Sequence, residues 1–143
     1  MKVTQKHISI FKDALKLEGL KFTNQRFIIF ETLLKNEGHF DCEDIIKLVN
    51  NHKRKVSRAT VYRTLDILVK YDLARKLTLD DGIARYENKL FTDHHDHMID
   101  IENNDIIEFY SEELERLQDE IAKKHGYEIV KHIHQLFVKK IDK

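Results

Sequence analysis

Proline is absent from all 143 residues and glycine occurs only four times, so punctuation between elements is sparse. The single cysteine, Cys42, excludes an intramolecular disulfide and any zinc site built on cysteine pairs. It suits a reducing, cytoplasmic setting. No apolar run approaches the roughly 20 residues that span a bilayer, so no membrane partner is expected. The opening residues Met1 to His7 lack the apolar core of a secretory signal. Apolar content is somewhat low at 41% and charged content high at 35%, which implies a well-solvated protein with modest cores. This length fits one ordinary domain or two small ones.

Net charge is also missing: the formal sum is zero. That zero conceals an asymmetry. Residues 1–90 hold 18 Lys/Arg against 12 Asp/Glu, and residues 91–143 hold 7 against 13. Six of the nine histidines fall in the acidic part. A basic half and an acidic, His-rich half point to separate partners, a polyanion for one and cations for the other.

Helical spacing predicts four helices in the basic half. Gln5 to Glu18 carries Ile8, Phe11, Ala14 and Leu15 on one stripe before Gly19. Thr23 caps a second helix, and Asp41 opens a third with Asp44 reaching back to it. The basic loop Lys53-Arg54-Lys55 leads to Ser57, which caps the fourth, with Val61, Leu65 and Leu68 inward. Leu73–Thr78 and Ile83–Glu87 bracket Asp80-Asp81-Gly82, a hairpin signal. Helices followed by a hairpin read as a winged helix-turn-helix, whose capped reading helix enters the DNA major groove. Tyr62 and Arg63 are the leading contacts there, with Ser57, Arg58 and Thr60 at the helix start and Lys16 a weaker phosphate contact. The alternative is a small helical domain whose Tyr and Arg are merely solvated.

The second half reads as strand, turn, strand around Ile106, Ile107 and Phe109. A helix capped by Ser111 follows, with Leu114, Leu117 and Ile121 inward. Tyr127 to Val138 reads as a last strand. The fold class is α+β: a winged-helix DNA-binding domain over 1–88 and a small α/β domain over 89–143. Exposed strand edges in the latter invite a second copy, giving a homodimer or a tetramer.

Phe91 to Asp100 concentrates three histidines and three carboxylates in ten residues. Neutral imidazole is the commonest side-chain metal ligand. On a strand, His95 and His97 face one way while His94 and Asp96 face the other. The segment thus reads as two half-built metal sites, or as a solvated polar loop. A metallohydrolase with an activated water is the rival from another class, although no nucleophile motif or Gly-rich loop accompanies the cluster.

Taken in order, these segments resemble the ferric uptake regulator family over nearly the whole chain. The matching stretches are Thr23-Asn24-Gln25-Arg26, His39 with Glu43-Asp44-Ile45, and Ser-Arg-Ala-Thr-Val-Tyr-Arg-Thr-Leu over Ser57 to Leu65. Tyr86-Glu87, His94-His95-Asp96-His97, Ile107-Glu108-Phe109, Ile121-Ala122 with His125-Gly126, and His132 follow. The resemblance implies a dimeric, metal-dependent winged-helix regulator, mainly a repressor of iron-uptake genes, acting on an AT-rich palindromic operator in double-stranded DNA. It implies a regulatory hinge site of His39, Glu87, His95, His97 and Glu108, and a second site of His94, Asp96, Glu115 and His132. Fe(II) is the implied co-repressor, with Zn(II) or Mn(II) able to occupy either site; peroxide-, manganese- and zinc-responsive branches are the alternatives. Where many members carry cysteine pairs for a structural zinc, this chain has Asp100 and Asn103, and the C-terminal pair is missing. That thiolate site cannot form here.

Overall fold

The computed structural model describes residues 3–50, 55–90 and 95–142. The chain divides into two compact units, Met1–Asp93 and His94–Lys143.

In the first unit, α1 (Gln5–Leu17), α2 (Asn24–Lys35), α3 (Cys42–Asn50) and α4 (Arg58–Lys70) precede a hairpin of β1 (Ala74–Thr78) and β2 (Ala84–Asn88). Their start signals are the ones the sequence carries. Thr23 accepts a hydrogen bond from Arg26 N, and Ser57 accepts one from Thr60 N. Asp41 and Asp44 each accept from the other's backbone N–H, a capping box made of two aspartates. The apolar stripes meet in one core containing Phe11, Leu15, Phe30, Leu33, Ile45, Val61, Leu65 and Leu68. Phe11 and Phe30 stack with ring centroids 4.4 Å apart. The hairpin turns through Gly82 at φ +77°, a left-handed conformation that glycine adopts without Cβ strain. Asp81 braces the turn by accepting from Ile83 N and from Arg85, and the Arg85 guanidinium, with Ile83 N second, holds its carboxyl below the usual range.

In the second unit, β3 (Asp96–Asp100) lies between β4 (Ile106–Phe109), antiparallel to it, and β5 (Gln135–Val138), parallel to it. The helix α5 (Glu112–Lys124) is capped by Ser111, which accepts from Leu114 N. Two expectations are corrected here. The last strand does not begin at Tyr127: its ladder runs only from Gln135 to Val138, because five-residue β3 offers no further length to pair with. Nor do Leu117 and Ile121 face inward. They are 52% and 51% exposed, and α5 buries none of its residues in a single chain.

The β3–β4 turn holds Asp100 and Asn103, the positions at which the resemblance implies a cysteine pair in many relatives. Asp100, itself buried, accepts from Glu102 N at 2.9 Å, and Asn103 Oδ1 accepts from Asp105 N at 2.9 Å. Asn104 closes the turn at φ +61°. Side-chain-to-backbone bonds of this kind replace a turn's missing partners. Asp100→Ala is therefore expected to cost on the order of 0.5–1.5 kcal/mol, the net value of the lost hydrogen bond, since Glu102 is exposed and water can reach its freed N–H. Urea unfolding at fixed protein concentration checks this, and an unchanged midpoint refutes it.

Candidate metal centres and nucleic-acid interface

In the first unit, Phe40 and Tyr86 exchange backbone hydrogen bonds, Phe40 N to Tyr86 O at 2.9 Å and Tyr86 N to Phe40 O at 2.7 Å. This bridge fixes residue 39 beside residue 87. His39 Nε2 lies 3.2 Å from Glu87 Oε2, and Glu87 is only 3% exposed. Tyr86 turns to the opposite, apolar side; burial first, and then the charge of Asp66, push its phenol up to about 12.

In the second unit, the β3–β4 register sets His97 opposite Glu108. His95 Nε2 lies 3.4 Å from Glu108 Oε1, and the His95 and His97 rings meet edge to face with centroids 4.7 Å apart. Asp96 belongs to a different group. Its Oδ1 is 3.3 Å from His132 Nε2, and the same nitrogen is 3.3 Å from Glu115 Oε1. One donor atom from each of Asp96, Glu115 and His132 lies within 4.8 Å of the others. The strand alternation read from the sequence thus assigns neighbouring residues to separate groups. His94, expected beside Asp96, lies outside the described residues.

These groups pass a simple test for metal. Donors held about 2.1 Å from an ion stand about 3.0 to 3.4 Å apart in octahedral or tetrahedral geometry. The separations of 3.2, 3.3 and 3.4 Å fall in that range. His132 adds a second argument. A single ring N–H is directed at one acceptor, whereas Nε2 faces two carboxylate oxygens, which a cation can satisfy together. Nitrogen and oxygen donors without thiolate suit Fe(II), Mn(II) or Zn(II). Cys42 belongs to neither group: it is buried in α3, where desolvation raises its thiol pKa and a hydrogen bond from Tyr62 partly offsets the rise.

Sequence reasoning missed one member of this region. Arg75 Nη1 lies 3.5 Å from Glu87 Oε1, directly across the hairpin. The signal was available. A turn centred on Asp80-Asp81-Gly82 that pairs Thr78 with Ala84 also sets Arg75 opposite Glu87.

On α4, Tyr62 is 46% exposed and Arg63 is also exposed, as a reading helix requires. Ser57 and Thr60 serve the cap, with Ser57 Oγ donating to Thr60 Oγ1 at 2.7 Å. Arg58 is paired with Glu43 of α3 through one guanidinium nitrogen. Lys16 stands exposed in the last turn of α1. Lys53 and Arg54 lie outside the described residues; Lys55 is exposed. An open cleft of about 410 Å³ beside the helix is lined by Glu18, Tyr62, Arg63, Asp66 and Lys70 among others. Glu18 latches α1 to the end of α4, accepting from Lys70 Nζ at 2.5 Å and from Tyr71 Oη at 2.7 Å. Lys70 first, then Tyr71, holds its carboxyl below the ordinary value. A lowered carboxylate stabilises the fold above its unfolded pKa and loses that contribution as pH falls through the folded one, so this latch releases only in acid.

Comparison with known proteins places the whole arrangement. Residues 17–137 match the model of the ferric uptake regulator family. A ferric uptake regulation protein of Brucella abortus is 34% identical over 131 residues, covering 92% of each chain. Among solved structures, the ferric uptake regulator of Pseudomonas aeruginosa with manganese is 32% identical, with a TM-score of 0.80, covering 92% of this chain and 98% of that one. The Helicobacter pylori regulator, described with three functional metal-binding sites, is 30% identical with a TM-score of 0.80, covering 98% of this chain and 95% of that one.

Proposed function

The chain belongs to the ferric uptake regulator family, and from that premise we propose that it is an Fe(II)-responsive repressor of iron-uptake genes, acting in the cytoplasm as a homodimer on an AT-rich palindromic operator. Family members are metal-responsive transcription regulators and not enzymes, so the metallohydrolase reading falls away.

The observation that carries the proposal is the incompleteness of two donor sets. His39 and Glu87 supply two ligands, too few for any of these ions, while His95, His97 and Glu108 supply three. Fe(II) and Mn(II) accept five or six donors, and two plus three gives five. In this reading a single ion draws on both units and fixes their relative orientation. The spacing of two reading helices in a dimer then depends on metal. Asp96, Glu115 and His132, together with His94, would hold a second ion, Zn(II) or Mn(II), within the second unit. Iron is favoured over zinc because five donors exceed the four that zinc usually takes, and the cell's metal availability overrides intrinsic affinity order.

The test is a DNA-binding titration against an AT-rich palindrome, run anaerobically with and without Fe(II), Mn(II) and Zn(II). Fe(II) or Mn(II) is expected to tighten binding, and equal affinity in every condition refutes the proposal. In the same assay Arg63→Ala should weaken specific binding by on the order of 1–3 kcal/mol, with little loss of folding. Unchanged specific affinity would show that α4 is not the reader.

A further inference from the structure

Glu87 is a buried carboxylate, and a buried charge is tolerated only with compensation. Two groups approach it from opposite ends. His39 Nε2 faces Oε2, and Arg75 Nη1 faces Oε1. The Arg75 side chain is itself only 18% exposed, and it is placed by backbone register, because Arg75 and Glu87 are direct cross-strand partners in the β1–β2 ladder. A neutral imidazole cannot balance the carboxylate, whereas a guanidinium is charged at every working pH.

We propose that Arg75 is a resident counter-cation that sets the affinity of the regulatory metal site through Glu87. Resting on the reading above, the inference adds a residue to that site which touches no metal. Without an ion, Arg75 faces the Glu87 carboxylate and holds it in place. With an ion, two consequences follow. The guanidinium engages Oε1, which would leave Oε2, the oxygen that faces His39, as the atom offered to an ion. The guanidinium charge also stays a few ångströms from a divalent cation and opposes its binding. Beside the carboxylates that would hold the ion, Arg75 would add one positive charge. The site is thereby weaker than its donors alone would make it, which suits a sensor that must release its ion when supply falls.

The experiment uses the full-length chain and Mn(II) as the probe, titrated in competition with a fluorescent chelator, with Co(II) absorption spectra reporting the ligand field. Arg75→Met keeps the aliphatic stem and removes the charge. Mn(II) affinity at the regulatory site is expected to rise on the order of tenfold, more at low salt than at high salt. The site of Asp96, Glu115 and His132 should not change. Arg75→Lys should restore affinity toward wild type, because charge rather than shape is at issue. If Arg75→Met fails to fold, Arg75→Gln carries the test. Unchanged or weakened Mn(II) binding in a folded neutral variant, or failure of lysine to restore it, overturns the inference. His39→Ala separates this outcome from failure of the underlying reading. If His39→Ala abolishes the regulatory Mn(II) site while Arg75→Met leaves affinity unmoved, only the role of Arg75 is wrong. If His39→Ala changes no Mn(II) binding, the site itself is misassigned.

Discussion

Replacing His39 with alanine is expected to remove the metal-dependent part of operator binding while leaving the second ion and the dimer in place. His39 is held beside Glu87 by the Phe40–Tyr86 bridge, whose hydrogen bonds are all backbone, so truncating its ring leaves that framework intact. What is lost is one of five proposed ligands and the only imidazole of the first unit's pair. An ion favours a closed arrangement only by its differential affinity for that arrangement over the others. Couplings of this type usually amount to about 1–3 kcal/mol, or 5- to 150-fold in affinity. His39→Ala should bring that stimulation to about onefold, with metal-free affinity for DNA unchanged. Glu108→Ala approaches the same ion from the second unit and should give the same phenotype. Fluorescence anisotropy of a labelled operator, titrated with Mn(II), measures both variants. Full stimulation in either one would show that no ion shared between the units is required.

How far the residues alone led depends on the range of the interactions involved. The helix starts at Thr23, Asp41, Ser57 and Ser111 were legible because a cap is a contact between residues three apart. The hairpin was legible from Asp80-Asp81-Gly82 for the same reason. The allocation of His95 and His97 to one group and Asp96 to another followed from strand alternation, which needs only the period of two. Long-range facts were less accessible. That Phe40 pairs with Tyr86, and so brings His39 to Glu87, joins residues 46 apart and has no local signal. The extent of β5 is not legible locally because a strand's length is set by its neighbour: Tyr127 to His134 carry β-forming residues but find no ladder on β3. The pairing of Arg58 with Glu43 has no signal on the helix wheel, because only the tertiary approach of α3 brings the two together. Periodicity correctly announced an apolar face on α5, yet it could not say what that face meets.

That face leads to the other large expected effect. Leu117→Glu combined with Ile121→Glu should convert the protein from dimer to monomer. The two residues lie one helical turn apart on α5 and are each about half exposed, as are Ile107, Leu136 and Phe137 of the edge strands β4 and β5. Half-exposed apolar side chains on α5, together with edge strands that have no further strand among the described residues, point to an interface. Burying a Leu or Ile side chain contributes about 1.5–3 kcal/mol, and a twofold interface buries each residue twice. Because each side chain is already about half buried in the single chain, the four lost contacts forfeit roughly 3–6 kcal/mol, before the cost of bringing carboxylates into the interface is added. With four carboxylates also brought to the interface, a dimer of nanomolar affinity falls to monomer at micromolar protein. Because Asp100 and Asn103 build their turn from hydrogen bonds, the wild-type dimer should also persist after chelation. Sedimentation equilibrium on wild type, chelated wild type and the double variant distinguishes these cases. A dimeric double variant would move the interface off α5. A wild type that falls to monomer on chelation would instead assign assembly to the ion held by Asp96, Glu115 and His132.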